Sequence, residues 1–349
     1  MIIKKINFYL NNAKESSMNL RRFVVIITLT VSISLPLHAL EIKVGSIAPE
    51  GSPWDLALKK IAAEWVKISG GTIKFKIYPG GIVGAEPDMI RKMRIGQLQA
   101  AIFTGVGMSY ISPEVLSLSL PFLVDNDDEL DFLMSKTTGY FNELISKKGF
   151  HVVTWSKAGW VNLFTTKKVI YPSELKALPF AVSEADPIML QSWREIGFNA
   201  VPLATNDIMT GLQSGMIEAY YAPPLVSAAF QWFAYASNMS DLRIAPMVGG
   251  FVLTNKTWQQ IPDDIKGKLI AASKKVVEDL YLDTLRLEKE AIATMKKHGL
   301  QIHHIPEDVI PQWRKQAEKG YDVFIGKTFP KSFYDDLKTY IAGYRNKKK

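Results

Sequence analysis

The sequence predicts an α/β protein made of two lobes with a ligand-binding cleft between them. Strand-like and helix-like patterns alternate from residue 40 onward, which is typical of a largely parallel sheet covered by helices. The alternation starts a second time near Trp160, which indicates a second lobe. A helical pattern from about Asp263 to His298 exceeds the usual length of about 8–20 residues, so we expect one helix to lie across both lobes.

The first lobe begins with strands and helices in regular alternation. Apolar and polar residues alternate over Leu40–Val44 and again over Ile73–Ile77, as they do in half-buried strands. Between these strands, Ser52 and Pro53 are typical N-cap and first-turn residues, so a helix is predicted to begin there. The remaining elements of this unit are a helix near residues 87–95 and a strand at 100–103.

Signals of the same kind continue into the second lobe. The sequence predicts a helix at Asp127–Lys147 and a strand at His151–Trp155 before the second unit begins. That unit contains a strand at Phe180–Ser183 and a helix at Pro187–Ile196. The apolar run Val248–Leu253 is long enough to form a strand that crosses back to the first lobe.

The first 39 residues are predicted to be a cleavable signal peptide, so we expect the mature protein in the periplasm. Arg21 and Arg22 precede an apolar run that ends near Ala39. The run covers about 15 residues whereas a membrane-spanning helix needs about 20, so a cleaved leader is favoured over a membrane anchor. The chain contains no cysteine, which excludes disulfides and a lipid-modified N-terminal cysteine.

We therefore expect four segments along the chain. Their predicted bounds are residues 1–39 for the signal peptide, 40–158 plus about 248–285 for lobe I, 159–247 plus about 286–335 for lobe II, and 336–349 for a basic tail. Arg345 and the lysines after it make this tail basic, and we interpret it as a solvated helix end instead of a nucleic-acid-binding segment. Part of the formal net charge of +8 belongs to the leader.

Enzyme and metal-binding motifs are absent from the sequence. There is no G-x-S-x-G, no H-E-x-x-H and no C-x-x-C pair. Four of the five histidines lie beyond the leader, and the adjacent His303 and His304 would point to opposite faces of a strand. The sequence therefore predicts no catalytic residue, no cofactor and no metal site.

Several short motifs follow one another between residues 78 and 224. The most informative is Pro202–Pro224, which combines a helical Leu-Gln-Ser-Gly with a Tyr-Tyr-Ala-Pro-Pro turn. The others are Tyr78-Pro79-Gly80 with Val83-Gly84, Ile95-Gly96-Gln97-Leu98-Gln99-Ala100, Leu120-Pro121-Phe122-Leu123 and Tyr171-Pro172-Ser173-Glu174-Leu175-Lys176. In this order they resemble the motifs of the solute-binding proteins of tripartite ATP-independent periplasmic (TRAP) transporters, across about residues 41–330.

The resemblance implies a two-lobed periplasmic binding-protein fold with hinge strands and a long domain-spanning helix. It also implies that the lobes close on a small organic acid and that the closed form docks on membrane subunits driven by an ion gradient. Family members grip the ligand carboxylate with an arginine, and that position is Ala181 here. A second family arginine falls at Val161, the asparagine of the family turn at Ala222, and a polar position of some members near Gly105.

The joint loss of these polar groups predicts a cleft for an apolar or aromatic ligand. Two lost charged hydrogen bonds would weaken carboxylate binding by about 3–6 kcal/mol, whereas burying about 250 Å² of apolar ligand contributes about 6 kcal/mol. The predicted ligand-binding residues are Trp160, Val161, Phe180, Ala181, Thr205, Asn206, Tyr220, Tyr221 and Ala222. Within the family, some members with hydrophobic-looking clefts pair with a tetratricopeptide-repeat lipoprotein, so that partner is a further hypothesis.

The sequence leaves other functions open. An organic acid could still be bound through Lys157, Arg243 or backbone amides. The chain could also be a ligand-sensing or interaction protein on the same scaffold, which an exposed aromatic patch would favour over an enclosed cleft. A periplasmic enzyme would need an acid–base pair in the cleft, and a binding protein for an ATP-driven importer fits the order of the motifs less well.

Overall fold

The computed structural model describes residues 39–348, and from Glu41 onward the chain forms one compact unit. The predicted signal peptide lies outside the described residues, apart from its last residue. Along the described chain, strands and helices alternate as the periodicity predicts, and the sheet and its covering helices form an α/β architecture.

The described strands form one mixed sheet. In chain order they are β1 Leu40–Gly45, β2 Ile73–Tyr78, β3 Ala100–Thr104, β4 Phe150–Thr165, β5 Phe180–Ser183, β6 Ala200–Leu203, β7 Ala219–Ala222, β8 Asn238–Ser240, β9 Ala245–Thr254 and β10 Gln301–His303. The sheet order is β2-β1-β3-β9-β4-β7-β5-β6, with β8 pairing β4 and β10 pairing β8. We call the β1–β3 end lobe I and the β5–β8 end lobe II.

Helices cover the sheet and connect its strands. Their bounds are α1 Pro53–Ile68, α2 Glu86–Arg94, α3 Gly105–Ser109, α4 Asp127–Lys147, α5 Pro172–Lys176, α6 Pro187–Glu195, α7 Ile208–Ser214, α8 Pro224–Ala229, α9 Asn255–Gln259, α10 Asp263–Lys297, α11 Ile310–Lys319 and α12 Lys331–Lys348. Ser52 caps α1, as predicted, by accepting a hydrogen bond from the amide of Asp55. None of the described helices is both long and apolar enough to cross a membrane.

Two long antiparallel strands connect the lobes. β4 and β9 pair from Phe150 opposite Thr254 to Val161 opposite Ala245, with register shifts on either side of the middle. β9 also pairs with β3 in lobe I, whereas the far end of β4 pairs with β7 and β8 in lobe II. Strands that belong to both lobes are natural hinges, because a small backbone rotation within them reorients one lobe against the other.

The longest helix, α10, packs along this sheet, and its 35 residues match the long helix that the sequence predicts. Against lobe I, the Trp65 indole donates a hydrogen bond of 2.9 Å to the Ser273 hydroxyl, which joins α1 to α10. Near its middle, Tyr281 of α10 donates a hydrogen bond to Asp127 of α4. The helix therefore ties lobe I to the region of the hinge.

The segment predicted as a basic tail is the second half of α12, and this helix packs on α4. The ring of Tyr344 stacks on Phe132 with centroids 4.6 Å apart. Arg345 binds Glu129 through two hydrogen bonds of 2.7 and 2.8 Å, so this end of the chain is anchored and not simply solvated. The predicted bounds of the lobes remain predictions.

Candidate ligand-binding cleft

The parallel strands of each lobe define where a cleft can form. β1 pairs parallel with β3 in lobe I, and β5 pairs parallel with both β6 and β7 in lobe II. In open α/β sheets, ligands bind outside the carboxyl ends of such strands. The candidate site is therefore built from the segments that follow these strands, together with the Tyr78–Ala85 segment after β2.

The two sets of strand ends face each other. A Cβ atom added to Gly81, in the segment after β2, would lie 3.8 Å from the side-chain nitrogen of Asn206, which follows β6. Tyr110, at the end of α3 in lobe I, has its pKa raised by burial and further by the charges of Asp186, Glu86 and Glu184. Asp186 and Glu184 belong to lobe II, so Tyr110 lies within electrostatic range of carboxylates from the other lobe.

On the lobe I side, a buried glutamate fixes the end of β3. Glu86 accepts hydrogen bonds from the Thr104 amide (2.6 Å) and the Thr104 hydroxyl (2.8 Å). Burial raises the pKa of Glu86 to about 7, and the hydrogen bonds from Thr104 and the Gly107 amide oppose that rise. Because the accepted hydrogen bonds hold this carboxylate in place, we interpret it as a structural group under the cleft.

On the lobe II side, a second carboxylate begins α6. Asp186 is 4% exposed, and its Oδ1 caps the helix by accepting a hydrogen bond of 2.9 Å from the Met189 amide. Burial raises the pKa of Asp186 to about 6, against the lowering effect of that bond. The same charge, after burial, raises the pKa of Tyr221 on β7. Asp186 therefore interacts electrostatically with Tyr110 of lobe I and with Tyr221 of lobe II.

The cleft-forming segments are acidic. Residues 46–52, 79–86, 104–112, 184–187, 204–207 and 222–224 contain Glu50, Glu86, Glu184, Asp186 and Asp207 and no lysine, arginine or histidine. Such a site favours a positively charged ligand and disfavours a negatively charged one. The electrostatics of the cleft thus differ from those of a site that grips a carboxylate.

Three of the predicted ligand-binding residues lie together on one face of the lobe II sheet. Ala181, Tyr220 and Ala222 belong to a buried cluster that also contains Phe164. The ring of Tyr220 stacks on Phe164 with centroids 5.1 Å apart, and its hydroxyl hydrogen-bonds Ser227 at 2.6 Å. The ring and the hydroxyl of Tyr220 therefore both have partners inside lobe II. Any contact of this cluster with a ligand remains a prediction.

Three others lie on the opposite face. Val161, Phe180 and Tyr221 belong to the larger core cluster, where Phe180 contacts the rings of Tyr221 and Trp193 with centroids 5.3 and 5.2 Å apart. Neighbouring residues of a strand point to opposite faces, so Tyr220 and Tyr221 are separated by the sheet. The nine predicted residues are therefore not brought onto one surface, although all lie near the lobe II side of the cleft or the hinge.

Trp160 faces a polar cluster at the hinge. Its indole donates a hydrogen bond of 3.2 Å to Asp127, which also accepts one from Tyr281, and Arg243 lies over its ring at 5.8 Å. Lys157 is nearby, paired with Asp131 at 2.7 Å and lying 3.8 Å above the ring of Tyr281. These cations are engaged within the protein.

The remaining two predicted residues follow β6. Thr205 is half-buried and Asn206 is exposed, and Asn206 faces lobe I across the cleft. The two carboxylates Glu86 and Asp186 are not among the residues that the sequence predicts for the site. The sequence did contain a signal for Asp186. An aspartate directly before the proline of a predicted helix start is a typical N-cap, and this one closely follows the end of a predicted strand.

A separate groove of about 710 Å³ lies away from the cleft, between α12 and the start of α4. Arg345 and Glu129, which pair with each other, both line it. The groove is not formed by strand ends, so it does not belong to the candidate site.

The fold and the cleft together define a two-lobed solute-binding protein. Residues 44–327 match the family model of the bacterial extracellular solute-binding proteins, family 7, and the chain belongs to this family. A solute-binding protein of Chromohalobacter salexigens is 25% identical over 305 residues, covering 85% of this chain and 88% of that protein.

Solved structures share the fold. A TRAP periplasmic solute-binding protein of Desulfovibrio salexigens with bound orotic acid superposes with a TM-score of 0.80 at 17% identity, over 86% of this chain and 99% of that chain. A TRAP periplasmic solute-binding protein of Chromohalobacter salexigens with bound D-glucuronate superposes with a TM-score of 0.78 at 20% identity. The match covers 87% of this chain and 99% of that chain. The family consists of extracytoplasmic binding proteins for transport, which bind small molecules and work with membrane subunits, and not of enzymes.

Proposed function

We propose that this protein is a periplasmic solute-binding protein that delivers a small apolar or aromatic ligand to a TRAP-type importer. The observation that carries the proposal is the chemistry at the three positions where the family resemblance places polar ligand anchors. Val161, Ala181 and Ala222 are 5%, 4% and 2% exposed, and each is packed among apolar side chains.

The packing around Ala181 leaves little room for a charged side chain that could bind a carboxylate. An arginine at Ala181 would have to share a cluster with Tyr220 and Phe164, whose rings are stacked. Aromatic residues of lobe II, including Phe180 and Tyr221, make the interior of the lobe beside the cleft apolar. Each apolar Å² removed from water contributes about 25 cal/mol, so a ligand of this kind can bind without an ion pair.

An organic acid is the second candidate, because the similar structures carry orotic acid and D-glucuronate. An acid would be bound through Lys157, Arg243 or backbone amides, and the two cations are both engaged at the hinge. Lys157 pairs with Asp131, and Arg243 lies over Trp160. The acidic character of the cleft segments also weighs against a carboxylate.

We further propose the partners and the route. A cleavable leader would export the protein, the ligand-bound form would dock on the TRAP membrane subunits, and a tetratricopeptide-repeat lipoprotein is a candidate additional partner. A sensing role on the same scaffold would use the same cleft, and purification with the membrane subunits would separate the two.

Native mass spectrometry of freshly purified protein tests the ligand class. We expect a co-purifying molecule that is apolar or aromatic, released by denaturation and identified by its mass. A tightly held dicarboxylate or sugar acid would overturn the proposal.

A double variant tests the anchor positions. Ala181→Arg combined with Tyr220→Gln makes room for a guanidinium, and we expect it to bind D-glucuronate about 10- to 100-fold more tightly than the unmodified protein does. Ala177→Arg adds the same charge at an exposed site and serves as the control. Equal glucuronate affinities in isothermal titration calorimetry for the double variant and the control would show that Ala181 is not at an anchor position.

A further inference from the structure

We propose that the ligand carries a basic nitrogen that binds the carboxylate of Asp186. This inference rests on the proposed function, because it names a second chemical feature of the same small apolar or aromatic ligand. It makes Asp186 the specificity-determining residue of the cleft.

The carboxylate of Asp186 is buried without a counter-ion. Asp186 is 4% exposed, and the hydrogen bond it accepts from the Met189 amide involves Oδ1. Among residues 39–348, none other donates a hydrogen bond to this carboxylate and none forms an ion pair with it, and the causes that shift its pKa are burial and the Met189 bond. A buried carboxylate is normally paired, because leaving its charge unpaired in a medium of low polarity is costly.

The surrounding segments supply no basic side chain to Asp186. The segments that follow the parallel strands contain no lysine, arginine or histidine, so they offer no cation to the cleft. Glu184, two residues before Asp186, adds negative charge to the same segment. A positively charged group on the ligand would supply the missing partner.

Aromatic side chains from both lobes lie within electrostatic range of the same carboxylate. Burial raises the pKa of Tyr110 in lobe I and of Tyr221 in lobe II, and the charge of Asp186 raises both further. Tyr221 in turn contacts Phe180 and Trp193, with ring centroids 5.3 and 6.4 Å apart. Aromatic faces attract cations as well as apolar groups, so a ring bearing an amine matches both features.

A structural explanation of Asp186 makes a different prediction. As the N-cap of α6 it could be replaced by asparagine at little cost, because the two residues cap helices about equally well. Asp186→Asn therefore keeps the cap and removes only the charge. Burial raises the pKa of Asp186, so ionisation opposes folding and the neutral variant should unfold at a higher temperature than the unmodified protein at pH 7.5.

The test compares three probes of similar size: 2-phenylethylamine, 2-phenylethanol and phenylacetate. Affinities are measured by isothermal titration calorimetry at pH 7.5 on protein freed of co-purified ligand. We expect the order amine, alcohol, acid, with the amine bound about 10- to 100-fold more tightly than the alcohol. Asp186→Asn should remove this preference, whereas Glu195→Gln, which removes one exposed charge at the opposite end of α6, should retain it.

The pH profile provides a second measurement. Asp186 has a pKa of about 6, so amine affinity should fall as the pH drops below 6 while alcohol affinity stays constant. Tyr110, Tyr221, Glu86 and Glu184 are the other titratable groups near it, and Glu86→Gln identifies any contribution from the buried glutamate.

The outcomes separate this inference from the proposed function. If amine and alcohol bind equally and Asp186→Asn changes neither, the basic-nitrogen inference is wrong and the apolar cleft stands. If phenylacetate binds most tightly, both are wrong. Loss of all binding in Asp186→Asn, together with a lowered unfolding temperature, would assign the residue a structural role and overturn the inference.

Discussion

At the scale of single residues, the buried carboxylate of Glu86 shows how tightly the lobe I side of the cleft is built. It accepts hydrogen bonds from Thr104 at the start of α3, and Gly107 lies directly against it. A Cβ atom at Gly107 would lie 2.4 Å from Glu86 Oε1, well inside van der Waals contact. The glycine is therefore needed for space and not for an unusual backbone conformation.

Gly107→Ala is expected to lower the free energy of unfolding by about 1–3 kcal/mol, because either the helix or the bonded carboxylate must shift. Gly139→Ala is the matched control, since a Cβ at this exposed position in α4 meets no atom within 4 Å. The control should stabilise the protein by about 0.5–1 kcal/mol. Urea denaturation of both variants measures the difference, and equal effects would show that Gly107 is not sterically restricted.

At the scale of elements, α12 is held on α4 by a half-buried ion pair between Arg345 and Glu129 and by an exposed one between Lys348 and Asp128. Arg345 binds Glu129 in a bidentate manner and also contacts Asp125 at 3.0 Å. Burial raises the pKa of Glu129, but the hydrogen bond from Arg345, the Asp125 amide and the charges of Arg345 and Arg314 outweigh it, and the net pKa is lowered. This pair therefore contributes stability above the pKa of an unfolded glutamate, and that contribution is lost as the pH falls.

Arg345→Ala is expected to lower the free energy of unfolding by about 1–2 kcal/mol, because it leaves the buried Glu129 without its partner. Arg286→Ala breaks an exposed pair with Glu290 on α10, and it should change stability much less, because solvent screens an exposed pair. Thermal denaturation at pH 7 compares the two variants, and the gap between them should narrow at pH 3. A similar loss in both would mean that α12 is not anchored by this pair.

At the scale of the whole molecule, two lobes joined by β4, β9 and α10 imply motion about the hinge. A Cβ atom added to Gly81 would lie 3.8 Å from the side-chain nitrogen of Asn206, so the lobes are close together at one edge of the cleft. Closure on a ligand occurs when the closed form binds that ligand more tightly than the open form does. The polar cluster around Asp127 lies at the hinge and links α4, β4 and α10.

Spin labels can follow this motion without interference, because the natural chain contains no cysteine. Ile82→Cys in lobe I and Met216→Cys in lobe II replace exposed residues on opposite sides of the cleft. Pulsed electron paramagnetic resonance should give a broader and longer distance distribution after the co-purified ligand is removed than before. A pair within lobe I, Ile82→Cys with Leu56→Cys, should show no change. An unchanged distance between the lobes would argue against ligand-driven closure.

Much of the fold follows from the sequence. The strands at Leu40–Gly45 and Ile73–Tyr78, the capped start of α1 and the length of α10 are confirmed, because periodicity, caps and breakers act over a few residues. The family motifs are also local, which is why the class of protein could be recognised before its structure was described.

The tertiary structure alone decided the character of the site. It put Tyr220 and Tyr221 on opposite faces of a sheet, turned Trp160 toward Asp127 at the hinge, and brought Asp186 within electrostatic range of Tyr110 from the other lobe. These placements depend on strand register and on contacts between residues far apart in the chain. The sequence by itself thus determined the architecture and the transport class, and the long-range packing decided which side chains surround the ligand cleft.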